Sequence, residues 1–281
     1  MLRATRGVFA LAVLLAVATA VADDPPISRR HNSWRRFHRG SWKQVRTTTE
    51  TLDGEDRVVA TNITETKTTL ESIAPDAITL KIEVSYAVGG KWFTAEPQIV
   101  KQTYSGEAAG QAVEVKTLPP ESIEIDSKKI DCQSQQIEFL DGKNRRTTLI
   151  HYSDRVPPYI LRTKTTTKDG SGNALSERLE SEVVALNMPY VVLGEQKSAS
   201  YVKITQTTES GVTTTLSVNV SDIPGEEVAA TSKKVDRGGK VVKKSTSQIL
   251  AYQAQVSDIE PEAAASRAKR RDRVRYRKRN P

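Results

Sequence analysis

Chemistry in a protein chain needs nucleophiles, proton-transfer groups or metal ligands at workable spacing, and here the stock is small. The chain holds three histidines, His31, His38 and His151, and a single cysteine, Cys132. It contains no H-E-x-x-H, C-x-x-C or G-x-S-x-G run, and no glycine-rich loop opening a helix to cradle a phosphate. One constellation survives these exclusions. With Asp141-Gly142 as the two central residues of a tight hairpin, Cys132 stands directly opposite His151 on the same face of the sheet. A thiol beside an imidazole is the arrangement of an activated nucleophile. The alternative is that Cys132 packs as a small apolar residue and His151 serves as a polar filler. Nothing in the spacing points to a metal site or a cofactor, so none is expected.

The elements that position these residues are strands. From Ser41 to about Gln253, Thr, Val, Ile, Lys and Glu alternate, and the alternation is broken by Asp53-Gly54, Gly89-Gly90, Asp141-Gly142, Asp169-Gly170, Ser210-Gly211 and Gly238-Gly239. Period-two patterning bounded by such pairs reads as consecutive hairpins, and the weak helical periodicity argues against a parallel βαβ arrangement. The expected fold class is all-β: an antiparallel meander of about a dozen strands over residues 41–256, forming a curved sheet, a sandwich or a half-open barrel. A faint internal match aligns Thr49–Thr66 with Thr165–Glu182 and pairs Asp53 with Asp169 and Gly54 with Gly170. It reads either as two related halves near 41–120 and 145–253 or as the recurrence that turn chemistry alone imposes.

Both ends depart from this texture. Arg3 and Arg6 precede an apolar run from Val8 to Ala18, then Ala20-Val21-Ala22, which is the order of a secretory signal peptide over residues 1–22, with cleavage near Ala22. The mature chain is then expected to be secreted or periplasmic. Residues 23–40 form a basic and aromatic segment. In it, Trp34 and Phe37 are spaced as on one face of a short helix that plugs an end of the sheet, while Trp42 opens the first strand. The competing reading is a basic and aromatic surface that binds a polyanion. Residues 257–281 are a basic tail. Arg267, Lys269, Arg270, Arg271, Arg273, Arg275, Arg277, Lys278 and Arg279 face one acid, Asp272, which accounts for the whole net charge of +8. Such a block suits anionic lipid, polysaccharide or another polyanion and specifies no nucleic-acid target. Asn62 and Asn219 begin formal glycosylation triplets.

The stretch from Lys129 to Thr165, with Cys132 on its first strand and Tyr152-Ser153-Asp154-Arg155-Val156-Pro157 after it, resembles a group of exported bacterial proteins of unassigned function. Gly40-Ser41-Trp42 at the entry to the first strand fits the same group. These are open, highly curved β-sheets related in style to periplasmic lipoprotein carriers. The resemblance implies an exported, non-catalytic binding or structural protein with an apolar or lipid-like ligand on a concave face. Two other functions stand beside it: polyanion binding through the basic termini, and an enzyme built on a Cys132–His151 pair.

Overall fold

Alternating residues that are half-buried on one side and solvated on the other can be satisfied by adding strand after strand to one sheet, and the chain does this. The computed structural model describes residues 27, 29–104, 113–141, 144–169 and 175–255. Its strands are β1 (Trp42–Leu52), β2 (Val58–Ile73), β3 (Ala77–Val88), β4 (Lys91–Thr94), β5 (Gln98–Thr103), β6 (Val113–Ile125) and β7 (Lys128–Asp141). There follow β8 (Asn144–Tyr152), β9 (Ile160–Lys168), β10 (Leu175–Val192), β11 (Glu195–Thr208), β12 (Gly211–Asn219), β13 (Glu227–Val235) and β14 (Val241–Gln253). Among the described residues the only helix is a three-residue 3-10 turn, Arg29–His31.

All fourteen strands belong to one antiparallel sheet ordered β4-β3-β2-β1-β14-β13-β12-β11-β10-β9-β8-β7-β6, with β5 also on β3. The expected all-β meander is present, and the sheet is open because the edge formed by β4 and β5 does not pair with the edge strand β6. It therefore neither closes into a barrel nor divides into a sandwich. The hairpins β1–β2 and β9–β10 hold the two matched segments, but they lie in one continuous sheet in which β14 pairs with β1. The two sequence halves are not separate sheets.

Chain length requires this sheet to bend. The ten residues from Thr103 to Val113 span at most about 35 Å, whereas the twelve interstrand steps from β5 to β6 would cover about 58 Å on a flat sheet. Packing shows the same thing. Leu70, Ile78 and Leu80 of β2 and β3 share one apolar cluster with Ile137, Phe139, Ile150 and Tyr152 of β7 and β8. Ile27, Trp34 and Phe37 of the N-terminal segment belong to that cluster, with Trp34 4% and Phe37 1% exposed.

The six Gly-containing pairs read from sequence mark the junctions β1–β2, β3–β4, β7–β8, β9–β10, β11–β12 and β13–β14, with Asp141 and Gly211 already on strands, and these junctions fall at the same end of the sheet. The opposite end carries the loops after Tyr152 and Asn219, and the N-terminal segment packs there. The expected plug is therefore present, although it is a 3-10 turn followed by hydrogen-bonded turns and not an α-helix. Trp42 does open β1. Its indole N–H donates to Gln253 Oε1 at 3.0 Å, and Lys67 Nζ lies 4.6 Å from the ring centroid.

Candidate functional site

The Cys132–His151 arrangement needs a correction. In the β7–β8 ladder Ser134 is opposite His151 and Gln133 is opposite Tyr152, so the register is displaced by two residues from the one that Asp141-Gly142 implied. The physical cause lies where the strands end: Asp141 pairs with Asn144, which an Asp141-Gly142 centre would not allow. A two-residue displacement preserves the face but changes the partner. Cys132 instead faces Glu121 of β6, is 2% exposed, and its Sγ donates to the Ile130 carbonyl at 3.4 Å. Burial pushes its thiol pKa up, the opposite of what a nucleophilic thiolate requires.

His151 is itself buried, and its Nδ1 lies 2.9 Å from Ser134 Oγ and 3.6 Å from Glu121 Oε2. A serine, a histidine and a carboxylate in one place suggest a hydrolytic triad, but the geometry differs. A triad uses the two ring nitrogens for the two partners, whereas here both approach Nδ1. Ser134 is also only 3% exposed, so no substrate reaches its hydroxyl. The group is a structural polar cluster next to a surface pocket of about 390 Å³ lined by Arg162, Lys164, Glu180, Glu182 and Lys203.

At the plugged end, polar groups tie the N-terminal segment to two loops. His31 Nε2 lies 2.8 Å from Asp154 Oδ1, and Arg30 Nη2 lies 3.0 Å from Asp154 Oδ2. Arg36 pairs with Asp222, and the buried Arg35 pairs with the buried Glu226 while its guanidinium sits 4.4 Å from the Tyr159 ring centroid. Lys43 Nζ donates to the Gly225 and Glu227 carbonyls at 3.1 and 3.0 Å. Gly225, at φ +70°, is needed because a Cβ there would come within 3.1 Å of Trp34 Cζ2. The rings of Trp34 and Phe37 are thus buried and do not offer a stacking surface, and Arg30, Arg35 and Arg36 are each matched by a carboxylate. His38 is exposed. Asp154 and Tyr159 belong to the segment that carried the family resemblance, and Ser41 of Gly40-Ser41-Trp42 is fully buried with its Oγ accepting from the Gln255 N–H at 2.9 Å.

Burial lowers the pKa of both His31 and His151, outweighing the nearby carboxylates Asp154 and Glu121. A base whose folded pKa lies below its unfolded value of about 6.5 binds protons better when unfolded, so its contribution is full above that pH and declines as pH falls through it. Burial also pushes the Glu226 carboxyl up, and that group acts in the opposite sense, losing stability as pH rises above the ordinary carboxylate range. The histidine effect is isolated by a variant. Between about pH 7.5 and 5.5 the melting temperature of the wild type should fall more than that of a His31→Gln/His151→Gln protein. Equal slopes would show that neither imidazole is held neutral by the fold.

The largest feature is a band across one face of the sheet. Directly opposed residues in antiparallel strands present their side chains on the same side. One continuous row of such pairs runs from β2 to β6: Asn62, Thr49, Ser245, Ser232, Thr215, Ile204, Ser181, Thr163, Ile150, Gln135 and Thr117. It crosses eleven strands without a charge. The next row toward the plug, Tyr86, Thr64, Thr47, Ser247, Ala230, Ser217, Val202 and Val183, is also uncharged. Charge returns one row toward the open end, at Lys234 and Lys243. On the opposite face the corresponding row alternates Glu50, Lys244 and Lys233 with Glu180, Lys164 and Lys116, separated by Thr, Leu and Gln.

On the uncharged face, hydroxyls satisfy one another across strands. Thr47 Oγ1 and Ser247 Oγ are 2.8 Å apart, and the pairs Thr49–Ser245 and Thr148–Thr165 are each at 3.0 Å. Gln135 is the exception. It is 4% exposed and its Oε1 has no hydrogen-bond partner, a cost of about 1–3 kcal/mol. Its acceptor is set in the same row as Ile150 and Thr117.

No family model and no curated protein matches the chain. Two solved structures resemble it weakly. One is from Bacteroides fragilis, inferred to be an exported protein, with a YmcC-like fold; it aligns at a TM-score of 0.29 and 9% identity, over 77% of this chain and 99% of its own. The other is inferred to be a lipoprotein, from Parabacteroides distasonis, with a TM-score of 0.27 and 10% identity over 78% and 99% of the two chains. The signal peptide expected over residues 1–22 and the basic residues from Arg267 to Arg279 lie outside the described residues. Of the glycosylation triplets, Asn62 is exposed, and Asn219 is half-buried with its Oδ1 accepting from Ser217 Oγ at 2.8 Å.

Proposed function

We propose that this chain is an exported, non-catalytic binding protein in which the uncharged band on one sheet face takes an uncharged, partly apolar ligand. The observation that carries this reading is the segregation of charge: two adjacent rows on one face, the longer crossing eleven strands, hold no charge, while the corresponding row on the other face is laced with Lys and Glu. A charged face holds its water at a cost of several kcal/mol per stripped ion, whereas hydroxyls already paired with one another and Ile or Val side chains lose water cheaply. The separation of Cys132 from His151 and the burial of Ser134 favour binding over catalysis.

The test is saturable binding of a neutral apolar fluorophore such as N-phenyl-1-naphthylamine, followed by competition with neutral lipids. Ile204→Lys places one charge in the middle of the uncharged row and should weaken binding by at least about tenfold. Lys203→Ala, one residue away on the charged face, should leave it unchanged. Failure of the wild type to bind, or equal losses in both variants, would overturn the reading.

A further inference from the structure

An open sheet has two edges, and in this protein they are treated differently. The β6 edge carries Pro119 and Pro120, a register irregularity between Leu118 and Glu121, and the exposed charges Glu114, Lys116, Glu121 and Glu124. Proline, bulges and charge are the usual protection of an edge strand against unwanted partners. The other edge, formed by β4 and β5, is apolar at the β3–β4 hairpin. On the β3–β4 hairpin, Tyr86, Val88, Trp92 and Phe93 are 42%, 57%, 50% and 47% exposed, and residues 86–95 contain one charge, Lys91, and no acid.

The two aromatic residues of β4 point to opposite sides. Phe93 pairs with Tyr86 and thus lies on the uncharged face, its ring stacked on that of Tyr86 at 5.8 Å between centroids. Trp92 pairs with Ala87, which is opposite Ile63 on the charged face. The neighbouring strand continues the pattern with Val58 and Val59, 50% and 61% exposed. A partner protein docked on one face of the sheet would leave half of these groups in water. A second copy adding a strand to β4 would satisfy backbone groups and still leave both ring faces solvated. A medium that surrounds the edge covers all of them.

We infer that the β3–β4 hairpin seats this protein on a lipid bilayer surface, with Trp92 and Phe93 at the boundary between headgroups and acyl chains and Lys91 among the headgroups. Amphipathic aromatic rings favour that depth, and binding strength there scales with the apolar area buried. The hairpin contact does not depend on lipid charge, which separates it from any attraction due to the basic tail, since the latter is screened by salt.

The experiment is co-sedimentation of the full chain with vesicles of neutral phosphatidylcholine at roughly 0.15 and 0.5 M salt. The wild type should bind at both, and Trp92→Glu/Phe93→Ser should lower the partition coefficient by about tenfold or more with an unchanged melting temperature, because both side chains are half-exposed. Equal binding by wild type and variant would overturn the inference, and so would binding confined to anionic vesicles and abolished by salt. A dimer seen by light scattering that the variant abolishes, without vesicle binding by the wild type, would overturn it in favour of strand pairing between two copies.

Discussion

Replacing Arg35 with alanine should cost about 3–5 kcal/mol of folding stability, because it leaves a buried carboxylate without its main partner. Arg35 and Glu226 side chains are 7% and 6% exposed. The guanidinium also donates to the Asn32 carbonyl at 3.1 Å and lies against Tyr159, so one side chain joins the N-terminal segment to the loops on both sides of it. Glu226→Gln should cost less, since the amide still accepts from Arg35 and leaves only the cation short of a counter-charge. The double variant Arg35→Ala/Glu226→Ala should lose less than the two alanine variants added together. Urea unfolding followed by far-UV circular dichroism measures these variants together with the Glu226→Ala single. A loss below about 1 kcal/mol for Arg35→Ala would place the pair among surface contacts of little consequence.

Phe37→Ala should cost a similar amount, about 3–5 kcal/mol, for a different reason. Phe37 is 1% exposed and sits in the cluster that joins β2 and β3 to β7 and β8, so its removal opens a cavity between parts of the sheet that are distant in strand order. Trp34, in the same cluster, provides the probe: its fluorescence and the circular dichroism of the strands should report one transition if segment and sheet unfold together. A Phe37→Ala protein that loses the Trp34 signal well before the strand signal, at little cost to the latter, would show that the sheet stands without its plug. The two variants test different links. Arg35 holds the segment to loops by electrostatics, and Phe37 holds it to the sheet by packing.

Strand existence was legible from period-two alternation, as in Arg46-Thr47-Thr48-Thr49-Glu50, and six turns were legible because Gly supplies backbone conformations that other residues avoid. These are local properties, and residues within a few positions determine them. The turns at the other end escaped notice for the same reason. The loops after Tyr152 and Asn219 are longer and carry one Gly between them, Gly225, and their role is to receive Trp34, Arg35 and His31 from more than a hundred residues earlier. Pro157-Pro158 and Pro224-Gly225 were the available signals, but they mark a loop without saying what packs on it.

Register was the step at which local reading failed. Reading Asp141-Gly142 as the hairpin's centre set Cys132 against His151, and the two-residue displacement replaced a reactive thiol with Ser134 while keeping the same face. The uncharged face lay further out of reach, because each strand contributes one residue to a row and the row forms only when strands distant in sequence pair, as Thr49 does with Ser245. By itself, then, the sequence determined an all-β antiparallel chain, the position of six of its turns and the concentration of its net charge in the last residues. Only the tertiary structure decided that the sheet stays open, that the basic and aromatic segment is buried as a plug, and that a band across one face is free of charge while the β3–β4 hairpin at one edge is aromatic. Alternation is settled between neighbours in the chain, whereas register, closure and the sorting of side chains into faces depend on contacts across the whole of it.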